Sequence, residues 1–72
     1  MSTQKWKNLG FCCRNFREKK GLSQADIAKI FNGTRQQVSF YEQGFSNSTM
    51  LTCAYIKAGI DVTELVRAYE AD

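Results

Sequence analysis

Residues 22–44 read LSQADIAKIFNGTRQQVSFYEQG, a pattern that is typical of two short helices joined by a tight turn. Ser23 is a good N-cap for the first of these helices, and Asp26 can complete a capping box with it. Asn32 and Gly33 supply the turn, because both residue types tolerate a positive φ. The pattern therefore predicts a second helix that begins directly after the turn.

Both helices have an apolar side that is predicted to face a common core. Ile27 and Phe31 lie one turn apart in the first helix, and the small side chain of Ala28 permits close approach of the next helix. Val38 and Tyr41 form the corresponding inward pair of the second helix. The sequence thus predicts that the two helices cross closely.

The second helix has a largely polar outer surface. Thr34 is predicted to cap its start, and Gly44 ends it. The residues that remain for the outer surface are Arg35, Gln36, Gln37, Ser39, Phe40 and Gln43. Arginine can bind guanine and glutamine can bind adenine through paired hydrogen bonds in the major groove, each worth ~1–3 kcal/mol of discrimination. The alternative interpretation of this surface is an ordinary solvated helix face.

Apolar periodicity and capping residues predict five helices in all. Leu9, Cys12, Cys13 and Phe16 recur at helical spacing, and Gly21 follows that segment. Two later segments have the same spacing: Leu51, Ala54, Tyr55 and Ala58, then Val62, Leu65, Val66 and Tyr69. The predicted helices are residues 6–20, 24–31, 35–43, 49–58 and 62–70. The sequence therefore predicts an all-α fold in a single domain, residues 1–72.

Size and charge narrow the functional classes. A chain of 72 residues has room for one modest core and not for an enclosed active-site cavity with a separate substrate domain. Residues 1–35 carry eight basic and two acidic side chains, whereas residues 36–72 carry two basic and five acidic ones. This asymmetry favours a basic face that binds a polyanion, with a merely solvated surface as the alternative.

Several other classes find no support. The three cysteines have no paired spacing and histidine is absent, so neither a disulfide framework nor a zinc site is expected, and no cofactor is implied. No nucleophile stands next to an evident base, which argues against an enzyme with a small-molecule substrate. No apolar run approaches the ~18 residues of a membrane helix. We expect a cytoplasmic protein that does not enter a membrane.

The chain resembles the Cro and phage-repressor type of helix-turn-helix domain. The motifs that carry this resemblance are Arg17, Gly21-Leu22-Ser23-Gln24, Ile27-Ala28 and Val38-Ser39-Phe40-Tyr41-Glu42-Gln43-Gly44, all in matching spacing. The resemblance implies a compact five-helix, lambda-repressor-like fold. It also implies a DNA-binding transcription regulator that recognises a double-stranded operator, from a temperate bacteriophage or a mobile element.

The resemblance further implies roles for individual residues. Those facing base edges would be Arg35, Gln36, Ser39 and Phe40. Those touching phosphates would be Gln24, Gln43 and Thr34, the last at the helix start nearest DNA. Arg17 and Glu42 would form an ion pair that fixes the helix packing, with a net contribution to stability near zero.

Two departures from the family pattern leave a second function open. Residues 45–49 carry no charge where many relatives have basic residues, and Phe40 places a large apolar side chain on the outer surface. Phe40 must therefore contact a thymine methyl or pack against protein. The first function is a homodimeric regulator that reads two half-sites, with dimer contacts from the C-terminal helices. The alternative is an antirepressor or modulator of repression that binds a partner repressor, with Phe40, Phe45 and Tyr69 as possible interface residues.

Overall fold

Five helices make up the computed structural model, which describes residues 2–71. They are α1 (Ser2–Lys20), α2 (Gln24–Ile30), α3 (Arg35–Glu42), α4 (Thr49–Ala58) and α5 (Val62–Glu70). No strand lies within residues 2–71, so the predicted all-α fold is confirmed. The two end residues of the predicted domain, Met1 and Asp72, lie outside the described residues.

Reciprocal capping boxes start α2 and α3. Ser23 Oγ accepts from the Asp26 backbone N–H over 3.0 Å, and the Ser23 N–H donates to the Asp26 carboxylate over 2.9 Å. The hydrogen bond from the Ser23 backbone N–H to the carboxylate is the main cause that holds the pKa of Asp26 below its ordinary value. Thr34 and Gln37 repeat the arrangement at 3.2 and 2.9 Å. Each helix therefore has a defined first turn, which satisfies backbone donors that the helix itself leaves free.

The turn between α2 and α3 depends on a single left-handed residue. Asn32 has φ 59°, whereas Gly33 is not in the positive-φ region. The Gly33 N–H donates to Ala28 O over 2.9 Å and the Asn32 N–H to Lys29 O over 3.3 Å, the Schellman pattern. A Cβ at Gly33 would lie 2.4 Å from the Phe31 ring and 2.6 Å from Gln37 Oε1, so a larger residue there requires both side chains to shift.

Three helix boundaries differ from those predicted. α1 begins at Ser2 and not near Trp6. Its first turns contact the end of α5, since Lys5 Nζ donates to Tyr69 O over 3.3 Å and Asn8 Nδ2 donates to Ala71 O over 2.8 Å. The α2 and α3 helices each end one residue earlier than predicted, because Phe31 and Gln43 are the C-cap residues.

The core forms where α1 to α5 meet. Its buried members are Leu9, Cys13, Ile27, Ala28, Val38, Tyr41, Leu51, Ala54, Tyr55, Ile60 and Leu65. Phe31, predicted to face inward, is only half-buried against this cluster. Gly10 brings α1 against the end of α3, because a Cβ there would lie 2.5 Å from Tyr41 O and 2.6 Å from Glu42 O. The end of α3 is thus packed tightly against α1.

The apolar face of α5 is only partly covered. Of its four predicted members, Leu65 is buried, while Val62 and Val66 are about half exposed. Tyr69 is also exposed, and its ring and that of Trp6 form a T-shaped pair at a centroid distance of 5.5 Å. Apolar surface left open in this way typically marks a contact surface for another molecule.

The three cysteines are free thiols in different surroundings. Cys13 is fully buried, and burial is the main cause that raises its pKa to about 12. Cys12 is partly buried and Cys53 is exposed.

Within residues 2–71, no group of three or more cysteine or carboxylate side chains is placed to hold a metal ion. None of the described helices combines the length and the apolarity that crossing a membrane requires.

Candidate nucleic-acid interface

The α3 helix has one buried side and one open side. Val38 and Tyr41 are fully buried in the core, whereas Arg35 and Gln36 are exposed. The spacing of α3 therefore directs its first polar side chains away from the protein, as predicted. Arg35 and Ser39 share one row of this surface, and Gln36 and Phe40 share the next, since residues four apart lie on the same helix face.

The remaining predicted contact residues lie around this surface. Thr34 is exposed at the start of α3, although its hydroxyl already accepts the Gln37 N–H. Gln43 is exposed at the end of the helix, and its side-chain amide donates to Ser39 Oγ over 2.8 Å. Gln24 is half-buried at the start of α2. The structure thus brings Gln24, Ser39 and Gln43 to one cleft and leaves Thr34 at the opposite end of α3.

That cleft runs between α1, the start of α2 and the end of α3. It is lined by Arg14, Arg17, Gln24, Ser39, Glu42 and Gln43. Gln24 Nε2 donates to Glu42 Oε1 over 3.2 Å, which orients the glutamine at the edge of the cleft. The sequence pattern does not predict a role for Arg14. This residue lies on the polar side of the first helix, where no periodicity distinguishes one basic residue from another.

An ion pair forms the floor of the cleft. Arg17 Nε donates to Glu42 Oε2 over 2.8 Å and Arg17 Nη2 donates to Glu42 Oε1 over 3.1 Å, so the two side chains implied by the family resemblance do meet. Arg17 Nη1 also donates to Leu22 O over 2.9 Å. The Glu42 side chain is 2% exposed, and its hydrogen bonds are the main cause that raises the pKa of Arg17.

Tyr55 completes this network from α4. Its hydroxyl donates to Glu42 Oε2, and burial followed by this hydrogen bond raises the pKa of Tyr55 above its ordinary value. No buried side-chain nitrogen or oxygen of the described residues lacks a partner. Glu42 therefore accepts from α1, α2 and α4 at once, which fixes the orientation of α3 relative to the other three helices. The sequence marked Tyr55 as an apolar position only and did not reveal this role.

Phe40 and Phe45 form an exposed aromatic pair at the end of α3. Their ring centroids are 6.3 Å apart with an interplanar angle of 68°. The backbone explains the pairing, because the Phe45 N–H donates to Phe40 O over 2.9 Å and the Gly44 N–H to Tyr41 O over 3.1 Å, a Schellman motif with its usual apolar contact. Phe40 is 43% and Phe45 is 70% exposed, so Phe45 is not a core residue.

The comparison with protein-family models identifies the segment that carries this geometry. A helix-turn-helix family model matches residues 14–54, a segment that contains α2, α3 and every residue of the cleft. No curated protein and no solved structure matches the chain.

Proposed function

Because the chain belongs to the helix-turn-helix family of Cro and repressor type, we propose that it is a sequence-specific regulator that reads an operator with the outer face of α3. Binding of double-stranded DNA for transcription regulation is the activity of this family. The observation that carries the proposal is the exposure of Arg35 and Gln36 on a helix whose other side is buried. The first turn of α3 is therefore free to enter a major groove.

The proposed contacts follow from the position of each side chain. Arg35 donates a bidentate pair to guanine and Gln36 exchanges two hydrogen bonds with adenine. Ser39 and Phe40, one turn later, face the adjoining base edges, where the Phe40 ring suits a thymine methyl group. The residues proposed to contact phosphates are Gln24, Thr34 and Gln43, whose uncharged side chains suit phosphate oxygens. Gln24 also lies at the start of α2, where the helix dipole favours an anion.

A mobility-shift experiment tests direct DNA binding. Duplexes are first selected from a random pool with the purified protein, and the affinity for the selected duplex is then measured at several salt concentrations. We expect binding that weakens steeply with salt, because protein cations displace counterions from the phosphates. Failure to retain any duplex at low salt would exclude the proposal.

We propose that the regulator acts as a homodimer through its C-terminal helices. The open apolar groove there is lined by Trp6, Leu9, Thr49, Thr52, Ile56, Val62, Leu65, Val66, Tyr69 and Glu70. None of these residues belongs to α2 or α3. A second copy that binds to this face therefore leaves the α3 helix of each copy free. Two copies can then read half-sites about one helical turn (~34 Å) apart.

Replacing Val66 with aspartate is expected to abolish the dimer. The substitution places a charge in the middle of the apolar face, while the half-exposed position allows the monomer to fold. Thr63→Asp is the matched control, since it adds the same charge to an exposed residue of α5 outside the groove. Sedimentation equilibrium should give a dimeric mass for wild type and Thr63→Asp and a monomeric mass for Val66→Asp. The same mass for all three proteins would remove α5 from the interface.

The exposed Phe40–Phe45 pair favours one alternative function. Two neighbouring aromatic rings followed by an uncharged segment, residues 46–49, suit a protein partner better than a phosphate backbone. In this alternative the chain is an antirepressor that binds a repressor in the switch of a temperate bacteriophage or mobile element. The mobility shift distinguishes the two, because an antirepressor diminishes the shift that a cognate repressor produces and gives none alone.

A further inference from the structure

We propose that the cleft between α1, α2 and α3 is a binding site for a backbone phosphate of DNA in which Arg14 supplies the positive charge and Glu18 limits its strength. The inference rests on the proposed function, since the ligand is the phosphodiester of a bound duplex. It adds to that function a cationic residue on α1 and an acidic residue that opposes it. Neither residue belongs to α2, the connecting turn or α3.

The position of Arg14 is the first argument. Its side chain lines the same cleft as Gln24 and Gln43, the residues proposed to touch phosphates at the start of α2 and the end of α3. A phosphate seated among these amides is therefore within the space that Arg14 also borders. A guanidinium matches phosphate oxygens in shape and charge, and such charge-assisted hydrogen bonds are stronger than those from amides alone.

The availability of Arg14 is the second argument. Its partner in the structure is Glu18, with Arg14 Nε 3.2 Å from Glu18 Oε2 and the two side chains 56% and 52% exposed. Ion pairs between exposed residues one helical turn apart contribute little to stability. Arg17, the other arginine of the cleft, is held by Glu42 and by Leu22 O and is largely buried. Arg14 can therefore exchange its partner for a phosphate, and Arg17 cannot do so without breaking the buried network.

The scarcity of other cations is the third argument. Arg35 is the one cationic residue of α3, and residues 43–49 carry no charge. A cation near the end of α3 must therefore come from another helix, as Arg14 does from α1 at the cleft and as Lys7, which packs against Gly44, does at the C-cap. Glu18 lies beside both arginines, 3.2 Å from Arg14 and 4.0 Å from Arg17 at the nearest nitrogens. The Glu18 carboxylate competes with a phosphate for the Arg14 guanidinium and also repels the phosphate.

Variants at the two positions test the proposal with the selected duplex and a scrambled duplex as probes. Arg14→Gln should weaken binding to both duplexes by the same factor, since a phosphate contact carries no sequence information. Raising the salt from about 50 to 200 mM lowers the affinity of wild type. For Arg14→Gln this loss should be roughly threefold smaller, the change expected for one phosphate contact fewer. Arg14→Lys should keep the wild-type salt dependence, because it keeps the charge.

Glu18→Gln should have the opposite effect and raise the affinity for both duplexes several-fold at low salt. Two exposed residues of α5 outside the cleft, Arg67 and Glu64, provide charge-matched controls as Arg67→Gln and Glu64→Gln. Equal salt dependence for Arg14→Gln and Arg67→Gln, with wild type still bound to DNA, would overturn the assignment of Arg14 and leave the proposed function intact. Absence of wild-type binding to every duplex would overturn both.

Discussion

Replacing Glu42 with alanine is expected to lower the free energy of unfolding by about 3–5 kcal/mol, the cost of leaving a buried charge without its partner. Arg17 would lose both of its hydrogen bonds to the carboxylate, and the Tyr55 hydroxyl would lose its acceptor. A domain of this size has a total stability of about 4–11 kcal/mol, so the loss is a large fraction of it. Urea denaturation followed by circular dichroism measures the change.

Two variants separate the buried ion pair from general effects of removing a carboxylate. Glu18→Ala removes a glutamate that also pairs with an arginine of α1 but is exposed, so it should change stability by about 1 kcal/mol or less. Glu42→Gln keeps an acceptor oxygen for Arg17 and should fall between the two. If Glu42→Ala unfolded at the same urea concentration as Glu18→Ala, the buried network would not hold the helices together.

The double substitution Arg35→Ala and Gln36→Ala is expected to remove most of the sequence discrimination. Two bidentate base contacts at ~1–3 kcal/mol each amount to about 2–6 kcal/mol between the selected and the scrambled duplex. Both side chains are exposed, so the fold should be unchanged by circular dichroism. Fluorescence anisotropy titrations with the two duplexes measure the difference directly.

A control with the same chemical change elsewhere is Gln4→Ala with Arg67→Ala, which removes one glutamine of α1 and one arginine of α5. This variant should keep the preference for the selected duplex. Retention of the full preference by the Arg35 and Gln36 variant would exclude these residues as readers of the base sequence.

Local signals predicted most of the helical architecture. Ser23 and Asp26 form the capping box that their spacing indicates, and Asn32 adopts the left-handed conformation expected at the turn. Thr34 caps α3 as its position indicates, and Gln37 at the same three-residue spacing completes a second capping box. These signals are short-range, because each depends on backbone donors within one helical turn.

Features that depend on contacts between distant segments were not predicted. The first turns of α1 contact the other end of the chain, where Lys5 Nζ donates to Tyr69 O and Asn8 Nδ2 donates to Ala71 O. The Tyr55 hydroxyl meets Glu42 because long side chains of α3 and α4 meet in the core, where the Tyr41 and Tyr55 rings stack. The periodicity of α5 indicated an apolar face but not how much of it the other helices cover, and Val66 remains half exposed.

Helical spacing also predicted part of the candidate site, but not the features that depend on contacts between helices. The outward direction of Arg35 and Gln36 followed from the inward spacing of Val38 and Tyr41. The exposure of Phe40 was expected, but its pairing with Phe45 is a consequence of the Schellman motif that ends α3. The cleft that places Arg14 beside Gln24 joins three helices, so helical spacing alone could not reveal it.

Nuclear magnetic resonance mapping of the protein surface that contacts the duplex tests the central claim most directly. Backbone amide shifts of the labelled protein are compared with and without the selected duplex. The largest changes are expected at residues 34–40, with further changes at Gln24 and Gln43 around the cleft. Binding of the duplex without a change in the amide chemical shifts of residues 35–40 would contradict the claim that α3 reads DNA.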